Sequence, residues 1–230
     1  DKYSEKLENE GFIFKEINLN NNSKNPYEDI KTIFRYYKIY KEIKPDVICH
    51  NAIKPNVYGT IAAGLLGISV INNISGLGTL FIKKSISTSI AKLLYKFSQK
   101  RATKVFFQNK DDLKLFKTNN LIDSDKCGII PGSGVNTSKF QKVNKDPKDE
   151  KFRFLFVGRL IYDKGIREYI EAIQNLHKKY PEVKFDVLGP LYVGNSTGVT
   201  KETLQEWIDS GVINYLGQSD NVEEVLQVVS

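Results

Sequence analysis

Methionine is absent from this 230-residue chain, and cysteine, histidine and tryptophan number two, two and one. Each shortage excludes something. Cys49 and Cys127 are too few for a disulfide framework and lack metal-ligand spacing, which reads as two buried thiols in a reducing compartment. With only His50 and His177 beside them, a structural zinc site lacks a ligand set, and no metal is expected. No apolar run is long enough to span a bilayer. The opening residues, Asp1 to Glu8, have none of the character of a secretory signal. Without a methionine at position 1 or elsewhere, the chain is expected to be a piece of a longer protein.

Acidic residues are short in one half only. Residues 1–150 hold 25 Lys and Arg against 16 Asp and Glu, a net +9, whereas residues 151–230 hold 9 against 11, a net −2. The basic half is expected to face something anionic: a membrane surface, a phosphorylated acceptor or nucleic acid.

Short apolar runs alternate with helical patterns along the whole chain, the signature of βα units around parallel sheets. The first half gives strands at 12–17, 46–50, 69–74, 103–108 and 127–131, with helices near 3–10, 28–43, 56–66, 85–101 and 110–117. Pro45 restricts Lys44 and marks the end of the second helix. Residues 141–151 have the composition of a linker. The rhythm then restarts with strands 152–157, 183–188 and 212–216 and helices 165–179, 200–209 and 221–228. These segments predict an α/β protein of two Rossmann-like domains, 1–140 and 152–230, joined by a linker over 141–151. The first is expected to lack its opening unit and the second its latter half, because a three-stranded half-sheet leaves an open edge.

The most informative stretch is Phe154-Leu155-Phe156-Val157-Gly158-Arg159-Leu160-Ile161-Tyr162-Asp163-Lys164-Gly165. A buried strand runs into a short loop that carries two cations ahead of a helix. Such a loop is either a surface turn with solvated cations or a diphosphate site, where Arg159 and Lys164 join free backbone N–H groups and the helix dipole. Placement at the carboxyl end of a parallel strand favours the second.

Val157-Gly158-Arg159-Leu160, with Lys164-Gly165 and the following helix and strand Val183 to Gly189, resembles the retaining GT-B glycosyltransferases of family 4. Ile129-Ile130-Pro131-Gly132-Ser133-Gly134-Val135-Asn136 is similar to that family's segment leading into the interdomain linker. Lys54-Pro55-Asn56-Val57-Tyr58-Gly59 and Asn73-Ile74-Ser75-Gly76-Leu77-Gly78 resemble the branch that builds bacterial capsule, O-antigen (lipopolysaccharide) and lipid-linked oligosaccharides.

The resemblance implies a GT-B fold and transfer of a hexose or N-acetylhexosamine from a UDP-sugar, without a metal or other cofactor and with retention of configuration. The acceptor would be a lipid-linked or cell-surface saccharide at the inner face of the cytoplasmic membrane. The second domain would hold the nucleotide and the first the acceptor. Gly158, Arg159 and Lys164 would then grip the donor diphosphate. Lys54 is the catalytic candidate of the first domain, its other reading being a solvated loop lysine. Asn56, Ser75, Gly76, Gly78, Gly132 and Gly134 are the candidate cleft-loop residues. A late Glu-x7-Glu element and an initial Gly-rich loop of the family are missing, so the chain by itself is expected to be catalytically incomplete. His50 stands one residue out of register with the histidine that many relatives place close to the donor sugar, which on a strand turns it to the opposite face and favours a hydrogen-bonded structural role.

Ser75-Gly76-Leu77-Gly78 is not a G-x-G-x-x-G fingerprint, because position 81 is Phe, and it reads equally as a tight turn. The region 83–117 is strongly basic. Ile86, Ile90, Leu93, Leu94 and Phe97 fall at helical spacing in it beside a row of Lys92, Lys96 and Lys100. That pattern fits docking on an anionic membrane surface, or an ordinary helix whose apolar stripe covers the sheet. Phe34, Tyr36, Tyr37, Tyr40 and Trp207 read as packing residues. The loop 191–196 is a candidate border of the nucleotide. Rival functions are another nucleotide-sugar enzyme such as an epimerase, or a basic binding module without chemistry. Recognition of nucleic acid is not expected, since no RNA-binding motif accompanies the charge.

Overall fold

The computed structural model describes residues 4–19, 26–77, 86–141, 152–192 and 197–229. Two compact units divide it, Asp1–Gly134 and Val135–Ser230. The expected residues Gly78, Lys83, Lys84, 142–151 of the linker and 193–196 lie outside the described residues.

Unit 1 carries α1 (Ser4–Asn9), α2 (Pro26–Ile43), β1 (Val47–Asn51), a π-helical turn (Pro55–Gly59) that continues as α3 (Thr60–Leu65), β2 (Ser69–Ile74), α4 (Ile86–Gln99), β3 (Lys104–Phe107), α5 (Lys110–Thr118) and β4 (Cys127–Ile129). Its four strands pair in parallel in the order β1-β2-β3-β4. Alternation puts Ile48, Val70, Ile74, Val105 and Phe107 on one face, where they meet Tyr36 and Tyr40 of α2, Tyr95 of α4 and Phe116 of α5. Tyr95 and Phe107 both pack edge-on against Phe116. α2 stops at Ile43 because Lys44 turns into the left-handed region (φ 51°), its N–H bonding the carbonyl of Tyr40 just ahead of Pro45.

Several expectations need correction. Residues 12–17 form no strand: an alternating run becomes one only with a neighbour to pair with, and none of the described strands pairs there. The segment instead lies along α2, through the Lys15–Glu42 ion pair and an Arg35 hydrogen bond to the carbonyl of Asn18. Cys49 is exposed, because it sits on the face of β1 opposite the core, and Cys127 is half-buried. Phe34 is exposed on the outer side of α2, unlike Tyr36 and Tyr40. In α4 the apolar stripe is split: Ile90, Leu93 and Phe97 are exposed, Leu94 is half-buried against the core, and Thr88, Tyr95, Ser98 and Gln99 are buried.

Unit 2 carries β5 (Arg153–Val157), α6 (Ile166–His177), β6 (Lys184–Leu188), α7 (Lys201–Asp209), β7 (Asn214–Tyr215) and α8 (Val222–Val229). Its strands pair in parallel in the order β5-β6-β7. Phe185 and Val187 face a core of Ile166, Ile170 and Ile173 from α6 and Leu204 from α7, with Trp207 packed at its edge. On the other face the Arg153 guanidinium forks onto Asp186, at 2.7 and 2.8 Å, and Asn214 donates to the same carboxylate at 2.8 Å. Asp186 is fully buried, so this lattice across three strands answers the desolvation of its charge.

Candidate functional site

The carboxyl ends of β5, β6 and β7 close onto three glycines. The N–H of Gly158 bonds the carbonyl of Leu188 at 2.9 Å, and that of Gly189 bonds the carbonyl of Gly217 at 2.8 Å. A Cβ on Gly189 would overlap the Gly158 carbonyl, and its φ of 152° also suits only glycine. Side chains are thereby kept off the strand ends, and a recess of about 130 Å³ opens there, lined by Gly158, Arg159, Gly189, Pro190, Gln218 and Val222. That volume takes part of a ligand rather than a whole nucleotide sugar.

The loop from Gly158 to Gly165 is held at several points. Leu160 pairs with Leu191 and Ile161 with Gly198. The N–H of Tyr162 bonds the carbonyl of Thr197, and the Thr197 hydroxyl donates to Asp163 at 2.8 Å. Arg159 is exposed, with its guanidinium 5.1 Å from the centre of the Tyr192 ring. Lys164 is also exposed and ends a 3₁₀ turn, Tyr162–Lys164, that Gly165 closes with φ 83°. α6 starts there behind Gly165, which has no side chain to cap it, and a helix N-terminus so placed suits an anion. Two cations and a helix start thus share one short, braced loop at the strand ends.

In unit 1 the first-half motifs resolve into a buried polar hub. His50 is 5% exposed and has both ring nitrogens engaged: Nδ1 donates to Asn72 Oδ1 at 2.9 Å, so Nε2 accepts from the Tyr40 hydroxyl at 2.7 Å. Burial pushes its pKa down, partly opposed by the Asn72 hydrogen bond. Asn72 goes on to donate to Gln99 at 2.7 Å, and Gln99 to the Asn56 carbonyl at 2.8 Å. The same burial raises the Tyr36 hydroxyl to about 12. Gly59 is required beside the hub, since a Cβ there would lie 2.5 Å from His50 Nε2.

Asn56, expected in a cleft loop, is buried at 1% within the π-helical turn, its amide donating to the Asn73 carbonyl. Lys54 is half-buried at the start of that turn. Ser75 and Gly76 are exposed just past β2. Gly132 and Gly134 follow β4 with φ of 77° and 73°. Among the described residues, no group of three or more His, Cys, Asp or Glu is placed to hold a metal, and no helix is long and apolar enough to cross a membrane.

Residues 2–109 match the family model described as glycosyl transferase 4-like, and residues 137–228 the model of glycosyl transferases group 1. Both models describe glycosyltransferases, and together they match most of the chain, which is built of glycosyltransferase domains. This glycosyltransferase chain is 26% identical, over 99% of its length and 62% of the relative's, to the Campylobacter jejuni N,N'-diacetylbacillosaminyl-diphospho-undecaprenol alpha-1,3-N-acetylgalactosaminyltransferase. It is 28% identical, over 70% of its length and 45% of the relative's, to the Escherichia coli UDP-Gal:alpha-D-GlcNAc-diphosphoundecaprenol alpha-1,3-galactosyltransferase. It therefore spans about half to three-fifths of these relatives. The structure of HepE from Anabaena in complex with UDP-glucose superposes with a TM-score of 0.65 at 18% identity, over 85% of this chain and 54% of that one. The fold is GT-B.

Sequence reasoning missed Tyr192 as the aromatic partner of Arg159 and Thr197 as the brace of the loop. Both lie some thirty residues further on, and only the pairing of Leu160 with Leu191 brings them back. Gln218 and Val222 were legible only as the residues that follow a third parallel strand.

Proposed function

We propose that this chain is part of a retaining, metal-independent glycosyltransferase that moves a hexose or N-acetylhexosamine from a UDP-sugar to a lipid-linked saccharide at the cytoplasmic membrane face. Unit 2 holds the donor and unit 1 the acceptor. The observation that carries the reading is the braced loop of Arg159 and Lys164 at glycine-closed strand ends, in a chain built of glycosyltransferase domains.

Breaking the glycosidic bond of the donor builds negative charge on the β-phosphate of the departing UDP. Arg159 and Lys164 meet that charge as it grows, and so act on the transition state more than on the bound substrate. Gly158 lets the phosphates approach the backbone. In unit 1, Lys54 and the exposed Ser75-Gly76 turn, with Gly132 and Gly134, are the residues assigned to substrate contact. The two named relatives act on diphospho-undecaprenol-linked sugars, which supports a lipid-linked acceptor and disfavours an epimerase or a non-catalytic binding module.

Product analysis tests this. Incubation with a UDP-sugar and a diphospho-undecaprenol-linked saccharide is expected to give an extended lipid-linked product whose new linkage keeps the donor's anomeric configuration. An inverted linkage, or an epimerised UDP-sugar formed without acceptor, contradicts the proposal.

A further inference from the structure

α4 carries apolar side chains on two faces. Its inner side sets Tyr95 and half-buried Leu94 against the core, with Ser98 and Gln99 held at the buried hub through the Asn72–Gln99 hydrogen bond and the Gln99–Ser98 contact. Its outer side carries Ile90, Leu93 and Phe97, exposed by 54%, 68% and 48%. Their i, i+3, i+7 spacing makes one ridge. Lys96 and Lys100 are exposed on that side, and among the described residues neither pairs with a carboxylate. Arg101 lies 3.7 Å over the Phe97 ring, and its side chain also covers Gly64 of α3, next to Leu65, which is itself 68% exposed. The surrounding sequence has no counter-charge: between Asp46 and Asp111 there are nine Lys and Arg and no Asp or Glu.

We infer that the outer face of α4, with Leu65, docks on an anionic lipid bilayer, Ile90, Leu93 and Phe97 entering the interface while Lys96, Lys100 and Arg101 meet headgroup phosphates. This deepens the proposed function, by bringing the acceptor-side unit to the surface that carries a lipid-linked acceptor. Lysines threaded through an apolar ridge are depleted from protein–protein interface cores but fit the boundary between acyl chains and headgroups. Their contribution grows with lipid charge and falls with salt.

Vesicle co-flotation tests the docking, with phosphatidylcholine alone and with about one-third phosphatidylglycerol added. The chain is expected to float with the anionic vesicles and to stay behind with the neutral ones. Leu93→Glu/Phe97→Glu should abolish flotation, and each of Lys96→Ala and Lys100→Ala should weaken it about fivefold. These side chains are exposed, so unchanged circular dichroism and melting establish that the variants fold. Equal flotation with both lipids overturns the inference, as does anionic binding that survives Leu93→Glu/Phe97→Glu. A parent chain that self-associates through the ridge, as a dimer lost in the same double variant, overturns it too. Binding of UDP, measured separately, is expected to be unchanged in all three variants, so failure of docking and failure of the donor site are distinguishable.

Discussion

The two units put their polar side chains to opposite uses. Unit 1 buries neutral ones behind the sheet, as the chain Tyr40–His50–Asn72–Gln99, and shows its cations outside: 21 Lys and Arg against 13 Asp and Glu over 1–134. Unit 2 buries a charge, Asp186 with Arg153 and Asn214, and is near neutral, with 13 against 14 over 135–230. A neutral hub fixes how α2, the π-helical turn and α4 sit on β1 and β2, and so leaves the outer surface free to be basic. A paired charge welds three strands together at one end, while their other end stays open for the braced loop. Similar βα units thus come to present a basic surface in one case and a small recess beside a braced loop in the other.

That contrast can be broken from either side. The largest effect on stability is expected from Asp186→Ala, which strands a partly buried guanidinium and should cost unit 2 about 2–4 kcal/mol in urea denaturation, without moving the unfolding of unit 1. Arg153→Met/Asp186→Leu should recover much of the loss, because a lattice of charge can be replaced by apolar packing. Gly59→Ala pushes a methyl into the Tyr40–His50 pair and should cost unit 1 about 1–3 kcal/mol by the same measurement.

His50 sharpens the comparison through pH. Its folded pKa lies below the ordinary histidine value, so the unfolded chain takes up the proton first. Stability of unit 1 is full above the unfolded pKa of about 6.5 and is lost as pH falls towards the folded value. Melting curves between neutral and mildly acid pH should show the drop, and His50→Gln should flatten it. The smallest effect is expected at Tyr192. Removing the ring in Tyr192→Ala frees the Arg159 guanidinium and should weaken UDP binding about two- to fivefold, with Tyr192→Phe near the parent.

Most of the fold was legible because βα rhythm is local: apolar runs of strand length, helical periodicity and Pro45 each act within a few residues. The loop proposed to hold the donor was legible for the same reason, since Gly158, Arg159, Lys164 and Gly165 are neighbours in sequence. What escaped depended on distant partners. Residues 12–17 alternate like a strand but have no described strand to pair with. The stripe Ile90, Leu93 and Phe97 has the period of a core face, yet Asn72 draws Gln99 inward and Gln99 holds Ser98, so this ridge turns out while Leu94 and Tyr95 pack on the core. The burial of Asn56 was not legible either, because the Gln99 that bonds its carbonyl lies forty-three positions away.

Calorimetric titration of this chain with UDP, with uridine as comparator, decides whether the Gly158–Gly165 loop holds a diphosphate. UDP is expected to bind more tightly than uridine, and Arg159→Ala/Lys164→Ala to lower UDP affinity about a hundredfold or more while melting is unchanged. A folded double variant that binds UDP as tightly as the parent would place the diphosphate somewhere other than this loop.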